Sequence, residues 1–209
     1  MTGRLPGALG EEKGWEDLGH LDPLEVCRKS LATYDRESRR YTLRFLNVDF
    51  VVMLEDRAVM PLYERNVGVP DLGLDFRIMI LDYLANCSEA PLSGRLVSGA
   101  QLKGGEFFFR GGHGLGLEAL INAFGKEPEQ FKKVGISLGG KGLELGDVSL
   151  QLPVLPKVPI AYVLWVADDE FSGRLSVLFD STADRMLHLD TLRTAVITSN
   201  RFLLGGRPQ

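Results

Sequence analysis

Residues 41–62 read YTLRFLNVDFVVMLEDRAVMPL. Tyr41, Leu43 and Phe45 alternate with other residues, and Val48, Phe50 and Val52 repeat the pattern after a break at Leu46-Asn47. A period of two puts such side chains on one face of a pleated ribbon. A second break at Glu55-Asp56-Arg57 suits another reversal of the chain. The spacing predicts an antiparallel meander of three strands, so any fold for this chain must house a sheet joined by tight turns.

Residues 72–87, LGLDFRIMILDYLANC, are apolar nearly all round. A helix of that kind is buried on most sides, which makes it the central core helix. Amphipathic segments surround it. Residues 22–34 have Asp22 as a cap, Pro23 at the first helical position, and Leu24, Cys27 and Leu31 on one face. Residues 115–125 turn Leu117, Leu120, Ile121 and Phe124 inward and end on Gly125, a natural C-terminal cap. Another helix opens at Pro128. The chain closes on a helical face of Leu189, Leu192, Val196 and Leu203, preceded by Ser181 and Asp184 at capping-box spacing.

Residues 91–110 read as a turn, a short strand, a glycine turn and a second short strand, and a further strand falls around 147–152. Two apolar runs, 159–167 and 174–179, pair as a hairpin. Strands that come as hairpins, rather than one for one with helices, indicate an α+β fold. The expectation is antiparallel hairpins and a meander packed with a central buried helix and several amphipathic helices. The 209 residues allow one sizeable core. Residues 1–20 read as a mobile, Gly-containing lead-in without the apolar stretch of a secretory signal, and 21–205 as a single α+β domain.

Net charge is −4 and the isoelectric point about 5.5. That balance supplies no field for nucleic acid or an anionic membrane. No apolar run approaches the ~18–20 residues of a membrane helix. Cys27 and Cys87 are the two cysteines, too few for a disulfide framework or a four-thiolate metal site. Both read as reduced thiols buried on helices, and the chain as cytoplasmic.

Three stretches carry candidate chemistry. The first is the tip of the 159–181 hairpin, where Asp168, Asp169 and Glu170 follow one another. Asp180 stands at the opposite end, ~20 Å away at about 3.3 Å per strand residue, so the four acids do not share one metal. The tip is then a solvated turn, with Asp180 as a cap beside Ser181, or Trp165 and the tip acids line a pocket mouth.

The second is FFFRGGHGLGLEAL, 107–120, a glycine loop opening a helix. Such a loop can cradle phosphate, but Leu117 and Glu118 stand where a phosphate-binding loop needs Lys and Ser or Thr. His113, between Arg110, Gly111, Gly112 and Gly114, is left as a surface residue or as a ligand for a metal or haem-type iron.

The third is GISLG, 135–139, which matches the G-x-S-x-G nucleophile pattern, with Asp168 or Asp180 and then His188 in the order of an α/β-hydrolase triad. The context opposes it, because a polar helical stretch precedes Ser137 and a glycine-rich one follows. His20 and His188 read as surface residues.

LEVCRKSLATYD, YTLRFLNVDFVV, LDYLANCSEAPLSGRLVSG, LKGGEFF and the run from LGGKGLELGD through Trp165 to LFDSTADRMLHLDTL follow in order over most of 22–195. Together they resemble the prokaryotic domain-of-unknown-function family 3786 (DUF3786). The resemblance implies no assigned catalytic residues. It implies an anaerobic setting, since similar proteins occur mainly in anaerobes and some carry a four-cysteine iron–sulfur cluster domain on the same chain. This chain lacks those cysteines, so a separate iron–sulfur or corrinoid-type redox protein becomes the implied partner. The function expected is binding of a small molecule or cofactor, or docking on such a partner, with Arg110 to Gly114 and Trp165, Asp168, Asp169 and Glu170 as candidate site. Whether the chain is an enzyme stays open. The other readings are a serine hydrolase using Ser137 and a ligand-free adaptor.

Overall fold

The computed structural model describes residues 6–62, 72–110 and 114–205. It is an α+β fold with two antiparallel sheets. The expected meander is present as β2 (Arg40–Phe45), β3 (Val48–Met53) and β4 (Ala58–Pro61), in the register Leu43 opposite Phe50 and Val52 opposite Val59. The reversals fall where expected, with Leu46 and Arg57 in the left-handed region.

A fourth strand, β1 (Thr33–Asp35), pairs with β2. The sequence placed its first two residues in a helix running to 34. That helix, α2 (Pro23–Ser30), stops earlier because Leu31 adopts φ 60° and ends it in the left-handed conformation. Asp22 caps α2 through the Leu24 amide, but the face turned inward is Val26 and Ser30, while Leu24 and Leu31 are exposed.

The second sheet has the order β5-β9-β8-β7-β6. Its strands are β5 (Leu96–Ser98), β6 (Lys141–Leu143), β7 (Val148–Leu155), β8 (Val158–Trp165) and β9 (Arg174–Asp180). The β8–β9 hairpin is in the expected place, with Trp165 opposite Arg174 at its tip and Ile160 opposite Phe179 at its base. One expected strand is a helix instead. Residues 105–110 form α4 (Gly105–Arg110), entered from Gly104 at φ 77°. The aromatic run has β propensity, but the helical turn stacks Phe109 on Phe179 at 6.0 Å, and that tertiary contact prevails.

α3 (Gly73–Asn86) is the central helix, burying Phe76, Met79, Ile80, Leu81, Tyr83 and Leu84. α7 (Leu189–Gly205) touches both sheets. Its Phe202 lies 5.6 Å from Phe45 of β2, and its Asn200 accepts the Tyr162 hydroxyl of β8 at 2.9 Å. Phe76 closes the same aromatic group, 5.2 Å from Phe45 and 4.9 Å from Phe50. α5 (Glu118–Phe124) ends at Gly125 as expected, and α6 (Pro128–Ser137) begins on its proline. Ser181 and Asp184 do not form a capping box. Asp184 accepts the Lys103 amide, and the Ser181 hydroxyl meets that of Ser93.

Residues 6–20, read from the sequence as part of a Gly-containing lead-in, are helical. They form α1 (Pro6–His20), which buries Trp15 and Leu18 and lies against α3. Glycine serves close approach here, since a Cβ on Gly14 would stand 3.0 Å from the Leu81 Cβ. Glu11 grips Arg77 of α3 through two hydrogen bonds of 2.7 and 3.2 Å. The Arg77 hydrogen bond is the main reason the Glu11 carboxyl sits below its ordinary range.

Candidate functional site

The sequence placed its candidate site on the glycine loop and the hairpin tip. Gly111, Gly112 and His113 lie outside the described residues, as does the side chain of Arg110. Gly114 is exposed, and its carbonyl accepts Arg193 Nε at 3.1 Å. Gly114 therefore lies ahead of the N-terminal end of α5. The hairpin tip meets α5 at its other end, where the Ala167 amide donates to Gly125 O at 2.9 Å. Seven helical residues at about 1.5 Å each separate the two ends of α5 by ~10 Å.

At the tip, Asp168 closes its own turn. Its Oδ1 accepts the Glu170 and Phe171 amides at 2.9 and 2.6 Å. These amide bonds hold the exposed Asp168 carboxyl below its ordinary range. Asp169 and Glu170 are exposed. Trp165 is half-buried under Arg174, whose guanidinium carbon lies 4.0 Å from the ring centroid, a cation–π contact rather than an open pocket wall. Phe171 stands out as 69 % exposed.

Ser137 is the last residue of α6, and its hydroxyl donates to Val134 O at 2.7 Å. A helix precedes it where a nucleophile elbow needs a strand. The glycines of GISLG have packing reasons. A Cβ on Gly135 would come 2.2 Å from Leu150 Cδ1, and Gly139 leaves the helix at φ 86°.

Asp180 at the far end of the hairpin is 3 % exposed. It accepts the Ser93 amide and hydroxyl, the Gly94 amide, and the Thr182 amide and hydroxyl. Burial alone would raise its pKa. The Thr182 and Ser93 hydrogen bonds outweigh burial and hold it at about 2. Asp180 is a fastener between the 93–95 turn and the end of β9, not a ligand. Cys87 is buried, Cys27 half-buried, and burial raises both thiols.

The best-formed polar constellation lies elsewhere. A groove of about 280 Å³ runs between α1, α3 and the start of α7. Gly10 and Gly14 lie along its α1 side, with Lys13 and Asp17 paired at 2.6 Å beside them. Asp82 of α3 stands in it with a side chain 9 % exposed. Its Oδ1 takes His188 Nδ1 at 2.6 Å and Asn86 Nδ2 at 2.9 Å. Its Oδ2 takes the His188 amide at 3.1 Å and the Thr191 hydroxyl in a short contact.

A carboxylate only accepts, so Nδ1 of His188 is the protonated nitrogen and Nε2 of the neutral ring carries the lone pair. The His188 side chain is 67 % exposed and lines the groove. Two roles thus fall to Asp82. It caps the first turn of α7, and it orients an imidazole. Volume and lining place the groove at the small end of ligand sites. Among the described residues, no group of three or more His, Cys, Asp or Glu side chains could hold a metal ion.

Residues 22–199 match the family model described as Domain of unknown function (DUF3786). The chain belongs to this family. No curated protein and no solved structure matches it. The DUF3786 segment contains Asp82, His188 and Thr191, whereas the α1 wall of the groove precedes it. Among the described residues no helix is long and apolar enough to cross a membrane.

Sequence reading left His188 on the surface, where it is, but missed its partner. The one available signal was Asp82 itself, a carboxylate in a helix apolar nearly all round. A buried acid requires partners, but nothing in the spacing said which.

Proposed function

We propose that this DUF3786 protein binds a small polar molecule in the groove between α1, α3 and the start of α7, with His188 Nε2 accepting a proton or hydrogen bond from it. The observation that carries this reading is the 2.6 Å contact of Asp82 with His188 Nδ1 at the groove wall. An imidazole held in one tautomer, with its other nitrogen open, is suited to accept from a ligand or to move a proton. Asp17 and Asp190 line the groove against a single lysine, Lys13. Carboxylates therefore outnumber cations, which favours a ligand with amine or hydroxyl donors.

The test is a thermal-shift screen of small amines, amino acids and polyols against wild type and His188→Ala. At least one compound should raise the melting temperature of wild type and not of the variant. No stabilising compound, or equal stabilisation of both proteins, would remove the reading.

A second reading is docking on a separate iron–sulfur or corrinoid-type redox protein in anaerobic metabolism. Phe171 favours it, since a large apolar ring 69 % exposed beside Asp168, Asp169 and Glu170 suits an apolar contact with a basic rim. Binding to such a purified protein should weaken about tenfold in Phe171→Ser and fall with salt. Unchanged binding would release the tip from that role.

A further inference from the structure

The wall that α1 gives the His188 groove carries a pattern of its own. Gly10, Lys13, Gly14 and Asp17 line the groove at spacings of three, one and three residues, which is one face of a helix. The buried Trp15 and Leu18 and the two Glu11–Arg77 bonds fix this wall in place. It precedes the matched segment 22–199, whereas Asp82 and His188 lie inside it. The groove therefore joins the imidazole to a charged pair from a different part of the chain.

Each charged side chain lining the groove already has a partner, but the partnerships differ in strength. Asp82, with a side chain 9 % exposed, is committed to His188, Asn86 and Thr191. Asp190, on the first turn of α7, accepts the Thr191 amide at 3.0 Å. Lys13 Nζ meets Asp17 Oδ2 at 2.6 Å one helical turn away, with side chains 72 % and 46 % exposed. Exposed pairs at that spacing are weak and open readily.

A pre-formed ion pair selects what can replace it. An amine that draws Asp17 away leaves Lys13 alone, and an acid that draws Lys13 away leaves Asp17 alone. A molecule with an ammonium and a carboxylate on one carbon gives both a new partner. Asp190 adds negative potential from α7, so the carboxylate end belongs on the α1 side, at Lys13. Ile78, Leu81 and Ala85 of α3 give the groove an apolar stretch that suits a short carbon chain. The open Nε2 of His188 then calls for a donor on that chain.

Resting on the reading of this groove as a ligand site with His188 as acceptor, we propose that its ligand is an α-amino acid with a hydroxyl on a short side chain. Lys13 takes the carboxylate, Asp17 the ammonium, and His188 Nε2 accepts from the hydroxyl.

The experiment is an amide NMR titration of the full chain with L-threonine and L-homoserine, which place the hydroxyl at two reaches. Three analogues each lack one group: 3-aminopropanol the carboxylate, 4-hydroxybutanoate the ammonium, and L-2-aminobutyrate the hydroxyl. At least one of the hydroxy amino acids should shift the amides of Lys13, Asp17 and His188 along one saturable curve, and each analogue should bind about tenfold more weakly. Lys13→Gln should weaken the amino acid about tenfold but not 3-aminopropanol, because Asp17 loses its competitor. Asp17→Asn should weaken the amino acid by as much but not 4-hydroxybutanoate. Both side chains are exposed, so these variants keep the fold. His188→Ala should erase the advantage of the hydroxy amino acid over L-2-aminobutyrate. Equal binding of 3-aminopropanol and the amino acid, or wild-type affinity in both α1 variants, would overturn the amino-acid assignment and leave the groove reading standing. No saturable shift at His188 with any of the five compounds up to ~50 mM, a range that covers weak millimolar binding, would overturn both.

Discussion

Asp82 Oδ1 lies 2.6 Å from His188 Nδ1 although 106 residues separate the two along the chain. The same carboxylate holds the His188 amide and the Thr191 hydroxyl. Removing it should therefore cost more stability than removing the imidazole. Asp82→Ala loses a helix cap, worth about 1 kcal/mol, and leaves the hydroxyl of the buried Thr191 with one partner fewer. About 2 kcal/mol of destabilisation is expected in urea unfolding. His188→Ala, with a side chain 67 % exposed, should stay within about 0.5 kcal/mol of wild type. Equal losses in the two variants would mean that the pair serves only the fold.

Asp180 gives a pH signature. Its folded pKa of about 2 lies below its ordinary 3.8, so the charged form is the one the fold favours. Its contribution is complete above the ordinary carboxylate range and is lost as pH falls towards 2. With 1.36 kcal/mol per pH unit, the stability gap between wild type and Asp180→Asn should shrink by about 2 kcal/mol from pH 5 to pH 2. A gap that does not change with pH would show that the five hydrogen bonds do not prefer the carboxylate.

Gly135 and Ser137 separate packing from catalysis within one motif. An added methyl at 135 meets Leu150, which has no exposed surface. Gly135→Ala should destabilise by about 1–3 kcal/mol through overpacking. Ser137→Ala should change stability by less than about 0.5 kcal/mol. A serine-directed fluorophosphonate should leave the protein unlabelled, and labelling abolished by Ser137→Ala would restore the nucleophile.

Gly14 sets how closely α1 lies on α3. Gly14→Val should push α1 outward at a cost of about 1–3 kcal/mol. Hydrogen exchange should then accelerate over Glu11–Leu18, where Trp15 and Leu18 are buried. Exchange unchanged over that stretch would mean that the helix contact tolerates the added bulk.

Much of the fold was legible because its strongest signals are periodic and local. The β2–β4 meander, α3, the β8–β9 hairpin and the inward face of α7 all follow from spacing alone. The failures are places where a distant contact or one backbone angle decides. Leu31 ends α2 in a left-handed conformation that no glycine announces. The aromatic run at 107–109 turns helical as Phe109 stacks on Phe179. Gly10 and Gly14 suggested mobility, yet they face Ile78 and Leu81 at close range. The Asp82–His188 pair was illegible for the same reason, since neither residue has the other within local reach. GISLG was over-legible. Its glycines answer to Leu150 and to a helix end, which imitates a catalytic pattern without its strand.

The most direct measurement is a long-range ¹⁵N correlation spectrum of the His188 ring, taken alone and with the best stabilising compound from the thermal screen. In the neutral form of the ring the proton should sit on Nδ1, facing Asp82, and the compound should move Nε2 far more than Nδ1. The Nε2 shift should disappear in Asp82→Ala, where the ring loses the acceptor that orients it. A ring with the opposite tautomer, or one whose Nε2 ignores every stabilising compound, would contradict a ligand site built on Asp82 and His188.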